Sequence, residues 1–468
     1  MPAIGVTYGP TGPPAPHPTI QRLQSLNVAW VRIQWVDLTS TIRYRVLPIS
    51  YFAKVLATER PAVSLTKATL GLVFVSVADG FGGTGEYAYV FDLESTRPCS
   101  YAPGHASIMG WFQEKFPSPS YDIDICPRTL LKRIVGEAKA TSGVDFLVGF
   151  ETEFILLKKD SQPVNEHGWS CSSALSSGSV ESTVLEEIAA ALIQDGVELQ
   201  MYHAEGAPGQ YEVVTGPLPP LQAADALIHT RETIYNIANK HGLRATLAPR
   251  VVANSCGSGQ HVHISVHSDD KLEQAGSSWP GVELRSSEAS FLAGVIAHLP
   301  ALCPITLPRT ASYDRMKDGI WSGGTYASWG VEHRETPVRV CNHASPLSRN
   351  FEMRMMDGSS NPYLALSAVL GVGWADGIKV GRKLTQRPLM THKSAFQLSD
   401  AERADVGIDT RLPRTLQEAQ KALEEDSLVV DLLGRGFVNA YLSVNRFSNE
   451  SFDHPDPAEA RRLLLAHW

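Results

Sequence analysis

A mostly apolar segment with two carboxylates in its middle is the feature of this sequence that most restricts its fold. Residues Val144–Leu157 have the length and apolar content of a buried strand, and Glu151 and Glu153 lie two positions apart within it. Side chains two apart on a strand point to the same face, so these carboxylates repel each other unless a cation lies between them. Taken alone, such a pair is more often the polar face of a solvated strand.

Three further segments bring histidines, acids and a base onto one strand face or around one turn. They are His261 and His263 after a glycine turn, Glu205 and Glu212 around a Gly/Pro turn, and Glu352 beside Arg354. Each has an ordinary alternative: a hydrogen-bonded histidine pair, two surface acids in a loop, or an ion pair. Together the candidate ligands are enough for two divalent ions of the magnesium or manganese type. The set is Glu151, Glu153, Glu205, Glu212, His261 and Glu352.

Arginines near these segments suggest that the site binds an anion. Arg315, Arg334 and Arg339 form a candidate cradle for phosphate, although each by itself is also explained as surface charge. Arginines beside two divalent ions suit phosphoryl transfer, in which the protein mainly positions groups and neutralises charge. The residues alone thus predict a two-metal phosphoryl-transfer or hydrolytic site and leave the substrate open.

The composition is typical of a globular enzyme and excludes several other classes. The chain has 468 residues, 43% hydrophobic, with a net charge of −8. No basic stripe suggests nucleic-acid binding, and no apolar run is expected to have the length of a membrane span. The six cysteines form no CxxC pair and are interpreted as reduced thiols. The start of the chain has no signal-peptide pattern, so a cytoplasmic location is expected.

The order of predicted elements indicates an α+β protein with a domain boundary in the proline-rich segment Pro117–Pro127. Residues 1–116 are predicted to form a small β-rich domain and residues 117–468 a large α+β domain. Predicted strands are Val28–Asp37, Gly71–Val77, Tyr87–Leu93, Val144–Leu157, Ala245–Pro249 and Gln260–Val266. Predicted helices are Ile20–Leu26, Thr183–Gln194 with a capping box from Thr183 to Glu186, Leu221–His241 and Asn361–Lys379.

In this order, the segments resemble the glutamine synthetase superfamily. The matching stretches are Glu151–Glu153, Glu205–Glu212, Gly257–His263, Ser312–Arg315, Trp329–Arg334, Phe351–Arg354 and Asn361–Tyr363, with weaker matches at Trp30–Asp37, Asp92–Thr96 and Leu412–Ala419. The resemblance covers nearly the whole chain. It implies an amino-terminal β-grasp domain and a large catalytic domain whose antiparallel sheet forms the active-site funnel.

The resemblance also implies a reaction and an assembly. The family uses ATP and two or three Mg²⁺ or Mn²⁺ ions to form an acyl phosphate on the γ-carboxylate of glutamate, which an amine then attacks. Its subunits form homo-oligomeric rings, often a dodecamer of two stacked hexamers, and neighbouring subunits share each active site. The expected partners are therefore a glutamate-like acid and an amine, with no nucleic acid and no membrane.

Residue roles follow from the resemblance position by position. One ion would be held by Glu153, Glu205 and Glu212, and the second by Glu151, His261 and Glu352. The amino acid would be bound by Arg315, Arg354 and the Gly257 turn. The nucleotide pocket would contain His263, Ser265 and Arg334, and Arg334 and Arg339 would face the transferred phosphate.

One departure from the family pattern bears on the nucleophile. Trp321 lies where ammonia-using members carry a flap glutamate that takes a proton from ammonium. Tryptophan cannot accept that proton, but it can wall an apolar pocket or face a cationic amine with its ring. Cys256 and His333 replace two usual asparagines, and Lys383–Met390 lacks the tyrosine that adenylylated members carry. The sequence around Trp321 is similar to that of γ-glutamyl-amine ligases and of the carboxy-terminal half of fungal FluG-type proteins.

The sequence therefore favours γ-glutamylation of an organic amine, with Trp321 contributing to catalysis alongside Arg334 and Arg339. Three alternatives stay open. The first is a glutamine synthetase that uses ammonia, with Trp321 serving only in packing. The second is a metal-dependent hydrolase of the amidohydrolase kind, which also uses paired histidines but places them near the start of the chain. The third is a non-catalytic assembly, which would have no need of the six ligands and four arginines.

Overall fold

The computed structural model describes residues 17–116, 120–166, 171–252, 255–268 and 275–468. The first 16 residues, on which the signal-peptide interpretation rests, lie outside the described residues. The same is true of residues 117–119 at the predicted domain boundary.

Strands and helices are numbered here in chain order. The strands are β1 Trp30–Val36, β2 Ile42–Pro48, β3 Ala62–Thr66, β4 Leu72–Val73, β5 Ser76–Val77, β6 Glu86–Phe91, β7 Arg97–Pro98, β8 His105–Ile108, β9 Gly110–Glu114, β10 Asp145–Leu157, β11 Leu199–Ala204, β12 Gln210–Leu218, β13 Arg244–Thr246, β14 Gln260–His267, β15 Ala275–Trp279, β16 Val282–Arg285, β17 Trp329–Val331, β18 Val338–Cys341 and β19 Asn350–Met353. The helices are α1 Pro18–Ser25, α2 Ile49–Leu56, α3 Pro127–Ser142, α4 Val180–Gln194, α5 Pro220–Lys240, α6 Ser286–Thr306, α7 Thr310–Arg315, α8 Pro362–Val372, α9 Asp400–Val406, α10 Leu416–Glu425, α11 Ser427–Leu433, α12 Arg435–Phe452 and α13 Pro457–His467.

The amino-terminal region is built around strand β1. One sheet has the order β2-β1-β8-β7, with β1 antiparallel to β2 and parallel to β8, and a second has the order β3-β6-β9. This mixed arrangement agrees with the predicted β-grasp. Trp35 of β1 packs its ring 5.8 Å from that of Tyr89, which lies 4.7 Å from Phe112, so aromatic side chains fill the space between the two sheets.

The large sheet has the order β11-β12-β10-β14-β19-β18-β17, and β13 pairs with β10. All neighbours are antiparallel except β17 and β18. Helices α3, α5 and α6 pack on its central strands. These helices cover part of the sheet. The polar side chains of β10 and β14 therefore lie on the part of the sheet that the helices leave uncovered. The α+β fold class is confirmed.

The two regions share a hydrophobic core. A single cluster of buried side chains runs from Val31 and Phe112 in the amino-terminal sheets to Phe150 and Ile264 in the large sheet. Apolar contact thus holds the amino-terminal sheets against the catalytic sheet.

Several predicted elements need correction. The segment Gly71–Val77 is not one strand: β4 and β5 form a tight hairpin, and Phe74 between them has a φ of +52°. Helix α4 begins at Val180, where Ser179 accepts a hydrogen bond from the backbone N–H of Ser182, so the capping box predicted at Thr183 is wrong. An earlier serine can cap the helix as well as Thr183, and the apolar spacing alone did not distinguish them.

Helix α6 (Ser286–Thr306) contradicts the expectation that no apolar run has the length of a membrane span. It has 21 residues and is apolar enough to cross a membrane by composition. Most of it is buried inside the fold, where it packs on α8 and α10. A helix that is apolar on all sides is also what a large core requires.

Candidate active site

Strand pairing brings the predicted metal ligands together. Along β10, Glu151 lies opposite His261 of β14, and Glu153 lies opposite Glu212 of β12. His263 lies opposite Glu352 of β19. Antiparallel partners directly across a sheet have their side chains on the same face about 5 Å apart. The register therefore places side chains that are distant in sequence at one point on the sheet.

The first group of ligands surrounds Glu151. Nδ1 of His261 lies 3.0 Å from Oε2 of Glu151 and 3.5 Å from Oε1 of Glu352. Nε2 of His263 lies 3.0 Å from Oε1 of Glu151. Donor atoms from Glu151, His263 and Glu352 all fall within 4.8 Å of one another, which is the spacing of a site that could hold one ion.

The second group lies around Glu212 and includes a histidine that the sequence analysis missed. Nε2 of His203 is 3.1 Å from Oε1 of Glu212, and its Nδ1 is 3.5 Å from Oε1 of Glu205. Donor atoms of these three residues also lie within 4.8 Å of one another. His203 occurs two positions before Glu205, and β11 places it opposite Glu212. That two-residue spacing was the signal that could have identified it.

Glu153 connects the two groups. Its Oε1 lies 3.8 Å from Nδ1 of His261, while its Oε2 accepts hydrogen bonds from the backbone N–H of Gly259 and from Nε2 of Gln210. These bonds hold Oε2 of Glu153 in place, and its Oε1 faces the cluster of ligands. Carboxylates held in this way are well oriented ligands.

The electrostatics of the cluster favour a cation. Burial raises the pKa of Glu212 to about 8, and the charges of Glu151, Glu153 and Glu205 add to this increase, while a hydrogen bond with His203 opposes it. Burial, followed by the charge of Glu153, also raises the pKa of Glu205. Carboxylates that resist ionisation because they are buried and face each other are stabilised in the ionised form when a divalent ion lies among them. The donor set of carboxylates and imidazole therefore fits the magnesium or manganese ions that the sequence predicted.

The pKa of Glu352 is lowered and not raised, because this carboxylate lies beside arginines. Burial alone would raise its pKa, but the charges of Arg354 and His261 outweigh burial and lower it to about 2. Arg354 forms an ion pair with Glu352 through Nη1, and Nη1 of Arg339 donates to Oε2 of the same carboxylate at 2.9 Å. Glu352 thus stays ionised in the fold, as a metal ligand must be.

The predicted acid-binding residues lie beside the metal groups. Arg315 is 2% exposed, and its Nη2 lies 3.2 Å from Nε2 of His261. Both terminal nitrogens of Arg315 donate to the backbone carbonyl of Arg354, at 3.3 and 3.2 Å. A Cβ atom at Gly257 would lie 2.6 Å from Cγ of Arg315 and 2.4 Å from the carbonyl oxygen of Pro249. Glycine is therefore required at 257 for the turn to approach Arg315.

These side chains open into a cavity of about 570 Å³. The residues that line it are Glu151, Glu153, Cys171, Ser172, Met201, His203, Glu205, Glu212, Cys256, Gly257, His261, Arg315, Ile320, Trp321, Ser322, Arg334 and Arg354. Acids and histidines make up part of this lining, and Met201, Ile320 and Trp321 form its apolar patch. Met201 and Cys171 were not identified from the sequence, because neither belongs to a polar motif.

The remaining predicted residues are not in this lining. Four of them lie outside the lining, on β14, β18 and β19: His263, Ser265, Arg339 and Glu352. Oγ of Ser265 lies 2.8 Å from Nε2 of His267, and Nη2 of Arg339 donates to Oε2 of Glu332 at 2.8 Å. The structure thus divides the predicted set into a cavity group and a group along the sheet, joined by Glu151, which contacts His261 and His263.

Trp321 projects into the cavity from a loop of unusual backbone conformation. Its φ is +56°, and it lies between glycines of positive φ at 319 and 323. Its side chain is 58% exposed. Nη2 of Arg354 donates to its backbone carbonyl at 3.1 Å, which ties the loop to the metal side of the site.

Comparison with known proteins identifies the family and the fold. Residues 124–462 match the family described as glutamine synthetase, catalytic domain. The chain belongs to the glutamine synthetase family. It is 33% identical over 474 residues to protein fluG of Emericella nidulans, covering 97% of this chain and 51% of that protein. The chain therefore spans about half the length of this relative.

Other known proteins match over most of their length. The gamma-glutamylpolyamine synthetase GlnA3 of Streptomyces coelicolor is 33% identical over 363 residues, 75% of each chain. A crystal structure described as a novel glutamine synthase homolog has a TM-score of 0.78 at 27% identity, covering 94% of this chain and 99% of that one. The GmaS/ADP complex has a TM-score of 0.77 at 22% identity, with 95% and 98% covered, and shows the shared fold.

Membership of the glutamine synthetase family supports a ligase of the carbon–nitrogen type. The family depends on ATP and divalent metal, and its members act on small molecules as oligomers. The acidic and histidine groups described above provide the donors that such a metal requirement needs.

Proposed function

We propose that this protein is an ATP-dependent ligase that joins the γ-carboxylate of glutamate, or of a close analogue, to an organic amine through a γ-glutamyl phosphate. The observation that carries the proposal is the indole of Trp321 at the cavity, where ammonia-using relatives are expected to carry a glutamate. The similarity to gamma-glutamylpolyamine synthetase GlnA3 supports the same branch.

Two metal positions are assigned to the acidic cluster. Glu153, Glu205 and Glu212 would hold one ion, and Glu151, His261 and Glu352 the other, with His203 close to the first. Such ions neutralise charge on the phosphates when bound. The chain itself contributes pre-oriented carboxylates, since Glu153 is fixed by the N–H of Gly259 and Glu352 by its arginines.

The arginines are assigned to the anionic substrates. Arg315 and Arg354, with the turn at Gly257, would bind the carboxylates of the acid from the wall of the cavity. Arg334 and Arg339 would face the transferred phosphoryl group, and His263, Ser265 and Arg334 would border the nucleotide. A guanidinium can hold a carboxylate or phosphate by two parallel hydrogen bonds, which positions it for attack.

The apolar patch is assigned to the amine. Met201, Ile320 and Trp321 line the cavity, and their apolar surfaces would hold water away from the place where the nucleophile meets the acyl phosphate. Excluding water protects the acyl phosphate from hydrolysis. The indole face of Trp321 also attracts a cationic amine before it loses its proton.

The proposal extends to assembly and location. We place the protein in the cytoplasm as a homo-oligomeric ring, a dodecamer of two hexamers, with no nucleic-acid or membrane partner. The net charge of −8 agrees with a protein that does not bind nucleic acid.

The test is phosphate release from ATP with Mg²⁺ or Mn²⁺, dependent on glutamate and measured with ammonia and with a panel of mono- and polyamines. We expect at least one organic amine to stimulate release more than ammonia does, with the γ-glutamyl amide detected by mass spectrometry. Glu153→Gln, which removes one ligand charge while keeping its shape, should abolish release. If ammonia outperforms every amine, the protein is a glutamine synthetase in the narrow sense. If no amine supports turnover although metal binds, the ligase proposal is wrong.

A further inference from the structure

Arg309 is a buried cation that makes no salt bridge in the described part of the chain. It immediately precedes α7 and is 2% exposed. Its Nη1 donates to Oγ of Ser448 and its Nη2 to the carbonyl oxygen of Thr39. Both partners are neutral, and among the described residues no carboxylate oxygen lies within 4.0 Å of the guanidinium. Its Nε has no hydrogen-bond partner there either.

Aromatic rings support this guanidinium without neutralising it. Its Cζ lies 4.1 Å from the ring centroid of Trp468 and 5.4 Å from that of Phe452. Burial lowers the pKa of Arg309 to about 10, which reflects the cost of keeping the charge away from water. A buried charge with an unused donor is costly unless an anion pairs with it.

Arg309 lines a cavity of about 430 Å³ that is separate from the active-site cavity. The other residues of its lining are Arg250, Val251, Thr310, Ala311, Asp314, Lys317, Asn449, Phe452, Asp453, Pro457, Ala460, Arg461 and Leu464. Four of the lining side chains are basic and two are acidic, so the cavity carries an excess of positive charge. Val251, Phe452 and Leu464 supply an apolar wall.

We propose that this cavity binds a small organic anion, with a carboxylate or phosphate beside Arg309 and an apolar body against Phe452 and Leu464. The volume accommodates a molecule of the size of a substituted benzoate. The anion would supply the acceptor that Nε of Arg309 lacks, and Arg250 and Arg461 would add charge at the mouth.

The cavity lies behind the acid-binding side of the active site. Arg250 follows Pro249, whose carbonyl accepts a hydrogen bond from the N–H of Ser258 at 3.0 Å, beside Gly257. Asp314 precedes Arg315 in α7. A ligand in the cavity would therefore contact both segments that hold Gly257 and Arg315 in place. The proposal does not depend on which amine, or which reaction, the active site serves.

The test measures binding to the full-length protein in its native assembly by saturation-transfer difference NMR. The probes are benzoate and phenyl phosphate, which distinguish a carboxylate from a phosphate ligand, and neutral benzamide as the control of the same shape. We expect at least one anion to bind and benzamide to bind at least about tenfold more weakly, since a charge-assisted hydrogen bond to a buried guanidinium is lost.

Variants locate the binding. Leu464→Trp fills the apolar wall without removing charge, and Arg309→Gln removes the buried cation; each should weaken anion binding about tenfold or more. If Arg309→Gln does not fold because a buried side chain has been removed, Leu464→Trp and Arg461→Gln still test the cavity. Arg354→Gln in the active site and Arg387→Gln on the surface should leave binding unchanged. The proposal is wrong if neither anion binds, or if Arg354→Gln abolishes binding while Leu464→Trp does not.

Discussion

Arg354 donates a hydrogen bond of 3.1 Å from Nη2 to the backbone carbonyl oxygen of Trp321. Through Nη1 the same guanidinium is ion-paired with Glu352, which is fully buried. The positive φ of Trp321 is unusual for a bulky residue and needs surrounding contacts to hold it. The position of the indole at the cavity is therefore coupled to the metal side of the site.

Replacing Trp321 should change the choice of nucleophile. We expect Trp321→Ala to lower kcat/KM for the preferred amine about tenfold, because an aromatic contact of about 1–2 kcal/mol is lost. Trp321→Phe keeps a ring and should retain most of the activity. The measurement is kcat/KM for that amine and for ammonia in the three proteins. An unchanged ratio of the two values in Trp321→Ala would mean that the indole serves only in packing.

Gly257 should not tolerate a side chain. In Gly257→Ala the new Cβ would meet backbone oxygen at 2.4 Å and the Arg315 side chain at 2.6 Å, so the turn must move away from the acid site. We expect a higher KM for the acid and a loss of about 1–3 kcal/mol in the free energy of unfolding. The matched control is Gly136→Ala, where nothing lies within 4 Å of the added Cβ in helix α3. That variant should be as stable as the parent or more so. Equal behaviour of the two variants would refute the steric argument.

Removing one ligand charge should weaken metal binding before any effect on the fold is seen. Glu153→Gln keeps the shape of a side chain that accepts from Gly259 but removes the negative charge. We expect Mn²⁺ affinity, measured by calorimetry or electron paramagnetic resonance, to fall about 10- to 100-fold. Glu283→Gln, at an exposed position of β16, is the control and should bind Mn²⁺ normally. Normal Mn²⁺ binding by Glu153→Gln would remove Glu153 from the proposed ligand set.

A histidine clamp outside the active site should make stability depend on pH. Nδ1 of His298 lies 2.6 Å from Oδ2 of Asp426 and its Nε2 lies 3.0 Å from Oδ2 of Asp376, which also pairs with Arg382. Burial lowers the pKa of His298, but the hydrogen bonds and charges of the two aspartates outweigh burial and raise it above 6.5. Burial raises the pKa of Asp426, but the hydrogen bond from His298, the backbone N–H of Val429 and the charge of His298 together outweigh burial and lower this pKa below 3.8.

The sign of the effect follows from these directions. A raised histidine pKa contributes stability that is fully present below pH 6.5 and is lost as the pH rises through the folded-state pKa. A lowered aspartate pKa contributes stability that is present above pH 3.8 and is lost on acidification. We expect His298→Gln to lower the unfolding temperature relative to the parent by an amount corresponding to about 1 kcal/mol near pH 5.5, and by less at pH 8.5. A difference that is constant across this range would exclude the clamp.

Much of the site was predictable because its residues are arranged in local patterns. Glu151 and Glu153 on β10 were predicted to share a face, and the strand pairing confirms that they lie beside His261. The fold class was predictable for the same reason, since the strand and helix periods are properties of short segments. His203 was missed although its spacing from Glu205 carried the same signal, because a single histidine before an acid has many ordinary explanations.

Other features depend on contacts between distant parts of the chain. The hairpin at Phe74 replaced a predicted strand because backbone conformation at one residue reverses the chain, which an apolar run does not reveal. The apolar patch of Met201 and Trp321 forms only when β11 and the loop after α7 come together.

The sequence by itself thus determined the fold class, some of the elements, the family resemblance and most of the candidate ligands, because these are encoded in residue type and short-range spacing. Only the tertiary structure decided which charges are compensated. Glu352 is kept ionised by Arg354 and Arg339, whereas Arg309 is buried beside a cavity and, among the described residues, has no carboxylate oxygen within 4.0 Å of its guanidinium. The physical reason is that burial and pairing set the energy of a charge, and both depend on packing across the whole fold.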